Sequence, residues 1–539
     1  MNLAWFTPVA LTLSARRPGV DVVLTRLKWT AVGGPDAAEG VAVGAEQRVW
    51  ELLSFLGYYV EAGNVAGTAQ WWGKLWRVEI SAGGLRCTAT LDDLANKVRI
   101  AYTAVGSGEI TPGTSARTAW ASDAASQALY GVRERQDSQR DMTTGEAETR
   151  RARLLADMAL PRAKYTFSGP SGPAQAKLYF RGLWPTLSWL TYAADVTGAS
   201  YTSDAVVTAD HQKVGETVAN AKVAQLVTVT TGRPFYIPKI QLQVSILGSP
   251  VDNLRVSTYT NVAGNPGVLL ETVDVSPAAF TTVSTWQDAL LAGTTAMASG
   301  TAFWIVVERS GAIDAANYYI VVSEEALGYL GGNFLIYNSF TGLWGARVPD
   351  ADMTFQLALT WATGDALADV VEECGQFLAG TDLQCGATGV TTPVYTTGDK
   401  DGLTIAQALL ADGGSGGQRL LPWVTSQRYL RVEEEPAAPA QPADAPLRVR
   451  ADGVITTRFG FPVDYPAQVV RRYAFVEAAE PLSRLSQYVQ SSGLAFIEAA
   501  ELDVGTGLVK LAEANLYRYL DLLPGPAANQ AADVLAPLL

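Results

Sequence analysis

Between Tyr201 and Trp361 the apolar residues fall on every second position, and this alternation limits the possible folds more than any other feature. In the run Ile240-Gln241-Leu242-Gln243-Val244-Ser245-Ile246, four apolar side chains share one face and polar residues share the other. A strand repeats every two residues, whereas a helix needs apolar positions three or four apart, so a helix cannot bury this set. Residues 254–260, 303–309, 318–324 and 355–361 repeat the pattern between turns rich in Gly, Pro, Asn and Asp. The stretch is expected to close as one antiparallel β-sandwich.

The flanks mix helix and strand. Val49, Leu52, Leu53 and Leu56 stand at i, i+3, i+4 and i+7 before Gly57, which predicts a one-sided helix stopped by glycine. Thr143 and Glu146 have capping-box spacing, with Ala147, Leu154, Leu155 and Met158 on one face and Pro161 beyond the end. Strands are expected on both sides of Arg17-Pro18-Gly19, over 72–80 and 85–90, and again over 177–192. After Gly364, residues Leu367, Val370, Val371, Cys374 and Phe377 share a helical face, and a shorter helix follows from Leu403. Residues 432–446 read as a stiff, solvated Pro/Ala linker or long loop. Strands over 454–461 and 467–476 precede an expected terminal helix and loosely held tail. The organisation is thus a β-rich α+β protein: mixed scaffold over 1–200, all-β insert over 201–362, helices and linker over 363–446, and a C-terminal scaffold region over 447–539.

Composition removes several function classes. At 539 residues the chain is too long for one core, and with 48% hydrophobic and 17% charged residues it is globular. A net charge of −13 argues against a broad basic nucleic-acid footprint, while suiting a conduit through which DNA slides without sticking. Cys87, Cys374 and Cys385 form no disulfide framework, so assembly in a reducing cytoplasm is expected. Arg16 and Arg17 follow the first apolar run rather than precede it, the wrong order for a signal peptide. No later apolar run reaches the ~20 residues of a membrane-spanning helix.

The chemical inventory is short. His211 is the only histidine, so a Cys–His nucleophile or a zinc site would have to be gathered from distant segments. Cys374 lies on an apolar helix face and reads as a buried structural thiol. The glycines around Ser415 are followed by Gln418 and Arg419, not by the Lys-Ser/Thr of a phosphate loop, and read as a turn. No catalytic, cofactor or metal residues are assigned. Glu308, Asp314, Glu324 and Glu325 leave open a carboxylate pair for glycoside hydrolysis. Tyr259, Trp304, Tyr318, Tyr319, Tyr329, Tyr337 and Trp344 supply rings to the insert, with Trp304 inside an apolar run and read as core. Tyr318, Tyr337 and Trp344, with Asn317 and Asn338 beside them, are the candidate glycan contacts, because they flank Gly- and Asn-rich turns. Trp71, Trp72 and Trp76 either form a subunit contact or fill the monomer core.

Two blocks resemble a known family. Residues 71–80 (WWGKLWRVEI) and 85–103 (LRCTATLDDLANKVRIAYT), then 121–135, 145–167 and 178–192, are similar to bacteriophage tail-hub proteins, the tail-tip or baseplate-hub components of long-tailed phages. Residues 366–389, 403–414 and 428–436 are similar to the later part of such hubs. The resemblance implies tail-tube-like strands that pair edge to edge into a ring, a homotrimer or alternatively a hexamer, with Trp71, Trp72 and Trp76 at the subunit contact. It implies tube, distal-tail and fibre proteins as partners, DNA only as passing cargo, no cofactor, no enzymatic activity, and a place in the virion. Segments 234–272, 300–322 and 352–361 look like the jelly-roll, carbohydrate-binding-module-like domains that decorate phage structural proteins, which implies a host surface saccharide as ligand. The alternatives are a polysaccharide depolymerase acting through the acidic residues and a secreted adhesin.

Overall fold

The computed structural model describes residues 2–434, apart from 31, 64–68, 106–112, 168–171, 195, 199, 202–208, 326–328, 330–331, 347–350, 384–390, 396–399, 412 and 414–419. Beyond these it describes the strands Arg448–Val449, Val469–Arg471, Tyr473–Ala474, Ile497–Asp503 and Leu508–Glu513. The fold is β-rich with several sheets. It divides into two compact units, one of Met1–Tyr192, Val370–Gly386 and Asp399–Leu539, the other of Ala193–Asp369 and Ala387–Gly398.

The first unit is built on an eleven-stranded antiparallel sheet. Its order is Asn2–Phe6, Tyr59–Gly63, Ala69–Ala82, Gln175–Arg181, Gly34–Val43, Val22–Thr30, Ile497–Asp503, Leu508–Glu513 and Val469–Arg471. Leu85–Thr90 pairs with the second half of Ala69–Ala82, and Lys164–Phe167 pairs with Leu85–Thr90. The Ala69–Ala82 strand lies between neighbours on both edges and has both faces buried from Trp71 to Trp76, hence the aromatic run. A smaller mixed sheet joins Lys97–Ala104 in parallel to Glu134–Met142 and antiparallel to Ser115–Arg117 and Ala121–Ser122. Its alternation is clean: Val98, Ile100, Tyr102 and Ala104 are buried, whereas Lys97, Arg99, Ala101 and Thr103 are half-buried. The Thr144–Met158 helix lays Ala147 and Leu154 on Ile100, Tyr102 and Ala104. Its start has the expected capping box: the Glu146 N–H donates to Thr143 Oγ1 and the Thr143 N–H donates to Glu146. In the third element, Tyr429–Glu434 pairs with Gly380–Leu383 and Leu420–Val424, near the Gly402–Ala411 helix.

The second unit is a jelly roll. One sheet runs Ala209–Val214, Tyr318–Glu325, Tyr236–Leu247, Thr285–Leu290; the other runs Lys222–Thr228, Ala302–Arg309, Leu254–Val262, Asn265–Val275. Successive strands cross from one sheet to the other, except at the Leu254–Val262 and Asn265–Val275 hairpin, which is the order that two Greek keys produce. Phe355–Ala362 adds to the first sheet, and the hairpin of Phe334–Asn338 and Leu343–Ala346 extends the second. Ile240, Leu242 and Val244 are buried on one face of their strand, as their spacing predicts. Phe235 and Phe303 are buried as well, with their rings 6.4 Å apart.

Several sequence expectations need correction. Only Val22–Thr30 is a strand near Arg17-Pro18-Gly19; its hairpin partner is Gly34–Val43, reached through Gly33 and Gly34 at φ +95° and +78°. Leu13 makes an isolated bridge to Phe6. After Gln175–Arg181 the chain does not remain extended: Pro185, without an N–H, starts a 3-10 turn over Trp184–Trp189. The helix at Glu46–Glu51 tightens to 3-10 over Leu52–Phe55, with Gly57 at φ +88° as the stop. The insert is larger than 201–362, running from Ala193 to Asp369, and it takes in Thr391–Pro393 because that strand pairs with Phe355–Ala362. The expected linker's first three residues, Val432 to Glu434, end the Tyr429–Glu434 strand; its remainder, the 454–461 strand and the terminal helix and tail lie outside the described residues.

Candidate functional site

Trp71, Trp72 and Trp76 are 0%, 3% and 3% exposed, so the expected subunit contact is instead monomer core. The Trp71 ring N–H donates to the Lys28 carbonyl at 3.2 Å, and its ring meets Phe180 edge-on. The Trp76 ring N–H donates to Asp92 at 2.7 Å, which assigns a task to the Leu91–Asn96 turn between strands. Burial opposes ionisation of Asp92, yet hydrogen bonds from Trp76 and Thr90 hold its pKa below the ordinary value. From Trp76 runs a ladder of three rings with a cation at each end. The Arg181 guanidinium lies 4.8 Å from the Trp76 ring, Trp189 lies 5.6 Å from Trp76, and Phe377 meets Trp189 edge-on at 5.4 Å.

Lys74 ends the ladder. It is fully buried, its Nζ lies 3.2 Å from the Phe377 ring centroid and 5.5 Å from that of Trp189, and no acceptor reaches it. Desolvation pushes its pKa well down. The sequence reading passed over this residue; the signal was a lysine in the Trp72-Lys74-Trp76 positions, where two-residue alternation calls for an apolar side chain.

On the jelly roll the five expected glycan contacts separate. Tyr318 is buried at 4% exposure, with Lys213 Nζ 5.3 Å from its ring centre, because it opens a strand rather than sitting in a loop. Asn317 accepts the Ser249 N–H and donates to Asp314; Asn338 accepts the N–H groups of Phe340 and Thr341. Both asparagines build turns. Tyr337 and Trp344 remain half-buried and together, as a cross-strand pair with ring centroids 5.0 Å apart at 52°. They border an apolar strip on the sheet face turned away from Phe303, comprising Ala224, Leu226, Tyr259, Trp304, Val306 and Leu335. Trp304 is buried there, as expected of core, and its ring N–H donates to Asn261. Lys222 Nζ lies 5.6 Å from the Tyr337 ring centre and 2.6 Å from Glu308. Past the turn, Phe340 and Leu343 are 87% and 68% exposed.

Of the four candidate carboxylates, the two whose side chains are described, Glu308 and Asp314, are each engaged by other groups. Glu308 is held by Lys222 within the sheet. Asp314 caps its own loop, and hydrogen bonds from Asn317 and the Ala316 N–H lower its pKa, opposite to what a proton donor needs. The side chains of Glu324 and Glu325 lie outside the described residues. His211 is exposed on the edge strand Ala209–Val214. Cys87 and Cys374 are buried and free; burial, then the charge of Glu134, pushes the Cys374 thiol up to about 12. Cys385 lies outside the described residues. No group of metal-ligating residues occurs among the described residues, and no described helix is long and apolar enough to cross a membrane.

No family model and no curated protein matches the chain. Among solved structures it is similar to a glycoside hydrolase family 43 arabinoxylan arabinofuranohydrolase from Bacillus subtilis in complex with cellotetraose, at 9% identity and a TM-score of 0.16, over 53% of this chain and 63% of that one. It is also similar to the functional form of the mosquito-larvicidal Cry4Aa toxin from Bacillus thuringiensis, at 7% identity and a TM-score of 0.14, over 57% and 52% of the two chains. The chain therefore spans less than two thirds of either neighbour, and neither likeness bears on fold or activity.

Proposed function

We propose that this chain is a structural tail-tip hub protein of a bacteriophage, homo-oligomeric in the virion, whose jelly roll recognises a host surface saccharide. The observation that carries the reading is the Tyr337–Trp344 ring pair, half-exposed at the edge of a sandwich that interrupts a scaffold assembled from chain on both sides of it. Paired rings beside an apolar strip suit the C–H face of a sugar. The tail-hub resemblance of the flanks supplies the setting. A hydrolase reading lacks support of this kind, since Glu308 is engaged by Lys222 and Asp314 is held ionised.

The test is binding of the full chain to host-cell glycans, wild type against Tyr337→Ala and Trp344→Ala. Each truncation is expected to weaken binding by about 1–3 kcal/mol, as in other stacking sites. Mass measurement on the assembled tail is expected to give three copies, or six as the second choice. Absence of glycan binding by the intact chain refutes the recognition role, and a monomer within the particle refutes the ring.

A further inference from the structure

We infer that the outer face of the first jelly-roll sheet is a second ligand surface, suited to an unbranched, neutral glycan chain. The strand register defines this face. Gln243 pairs with Trp286, Gln241 with Asp288 and Lys239 with Leu290, and on its other side Gln241 pairs with Gln356. Cross-strand partners share a face. The intervening Ile240, Leu242 and Val244 are buried in the sandwich, so these side chains point out of it. On the edge strand Thr285–Leu290, Trp286 and Leu290 are 38% and 64% exposed, an apolar pair about 13 Å apart with Asp288 between them. Inward of that edge lie Gln241, Gln243 and Gln356, all half-buried.

Charge and hydrogen-bonding capacity select the ligand. Asp288 accepts from Gln241 Nε2 at 2.6 Å and lies 3.5 Å from Lys239 Nζ, so the carboxylate and the ammonium of this face answer each other and leave nothing for an ionic partner. The amides are not used up. Gln243 and Gln356 have no hydrogen-bond partner among the described residues, and Gln241 keeps its Oε1 as an acceptor. A carboxamide donates and accepts at once, as a sugar hydroxyl does. Trp286 and Leu290 offer apolar surface to the C–H faces of successive rings whose hydroxyls reach the glutamines. An added polypeptide strand would use the sheet edge rather than this face, and an apolar partner would strip water from the amides without replacing it. The surface shares the ligand class of the proposed function but none of its residues, since Tyr337 and Trp344 belong to the other sheet.

The experiment is affinity electrophoresis of the full chain in native gels cast with hydroxyethylcellulose, glucomannan or pullulan, and with alginate as the anionic counterpart. Retardation is expected in at least one neutral gel. Trp286→Ala is expected to weaken it about tenfold, the scale of one ring's stacking, and Trp286→Tyr to keep most of it. Gln243→Ala combined with Gln356→Ala is expected to weaken it by a similar factor, and carries the test should Trp286→Ala not fold. Trp344→Ala, on the other sheet, is expected to leave this retardation in place. A loss in Trp344→Ala as large as that in Trp286→Ala overturns the inference and leaves the proposed function standing. Retardation in none of the neutral gels overturns the inference, and so does equal retardation by alginate.

Discussion

Lys74 should make the stability of the scaffold depend on pH in a way that one substitution removes. Its side chain is fully buried between Phe377 and Trp189, without a carboxylate or any hydrogen-bond acceptor at Nζ. Desolvation drives its pKa well below the ordinary value, so the folded chain favours the neutral amine. The unfolded chain keeps an ordinary lysine that stays protonated to about pH 10.4. Between the two pKa values the unfolded state binds one more proton, so unfolding free energy rises with pH there, by about 1.4 kcal/mol per unit. The contribution is at most about 3 kcal/mol between pH 7 and pH 9 and levels off above about pH 10.4. Lys74→Met keeps the volume and removes the amine, so it should be more stable than wild type at pH 7 and lack this slope. Lys74→Arg, which cannot lose its proton, should be the least stable of the three. Neighbouring groups do not imitate the effect: Cys374, at about 12, stays protonated across the range, and Arg133, lowered by burial to about 10, is shared by all three proteins. Urea titrations of the full chain at pH 7, 8 and 9, followed by tryptophan fluorescence, measure the slopes. Parallel pH profiles for wild type and Lys74→Met, or a less stable methionine variant at pH 7, would refute the reasoning.

Other outcomes follow from single contacts. Asp252 forms a nearly buried pair with Arg309, its Oδ1 2.5 Å from Nη2, and accepts the Gly311 N–H, so Asp252→Ala should cost about 3–5 kcal/mol at pH 7. Burial opposes its ionisation, but these bonds hold its pKa below the ordinary value; the gap from the variant should therefore shrink as pH falls below about 4, which urea titration at pH 7 and pH 3 checks. Thr143→Ala removes the capping box and should cost about 1 kcal/mol, with Thr143→Ser restoring most of it, measured by thermal melting. Gly73→Ala would place a Cβ 2.2 Å from the Arg181 carbonyl oxygen and 2.5 Å from the Trp71 ring, and should lower the melting temperature sharply; an unchanged melt would mean the two strands can separate at no cost.

Much of the architecture was legible along the chain because its cues are local. Two-residue alternation at Ile240, Leu242 and Val244 specified strands and their buried face, since only one periodicity puts those side chains on one side. Thr143 with Glu146 marked a helix start, because a cap involves residues three apart. Jelly-roll strand order, by contrast, depends on which strands meet across dozens of residues, as when Lys222 faces both Glu308 and Tyr337. The same limit explains the tryptophans. Three rings in six residues indicate a large aromatic volume, but whether it faces a neighbour or the monomer depends on Phe180, Trp189 and Phe377, which arrive from distant segments. Tyr318, Tyr337 and Trp344 look alike beside their turns. Tertiary packing buried the first and left the other two paired, because exposure belongs to the assembled surface and not to any short window of sequence.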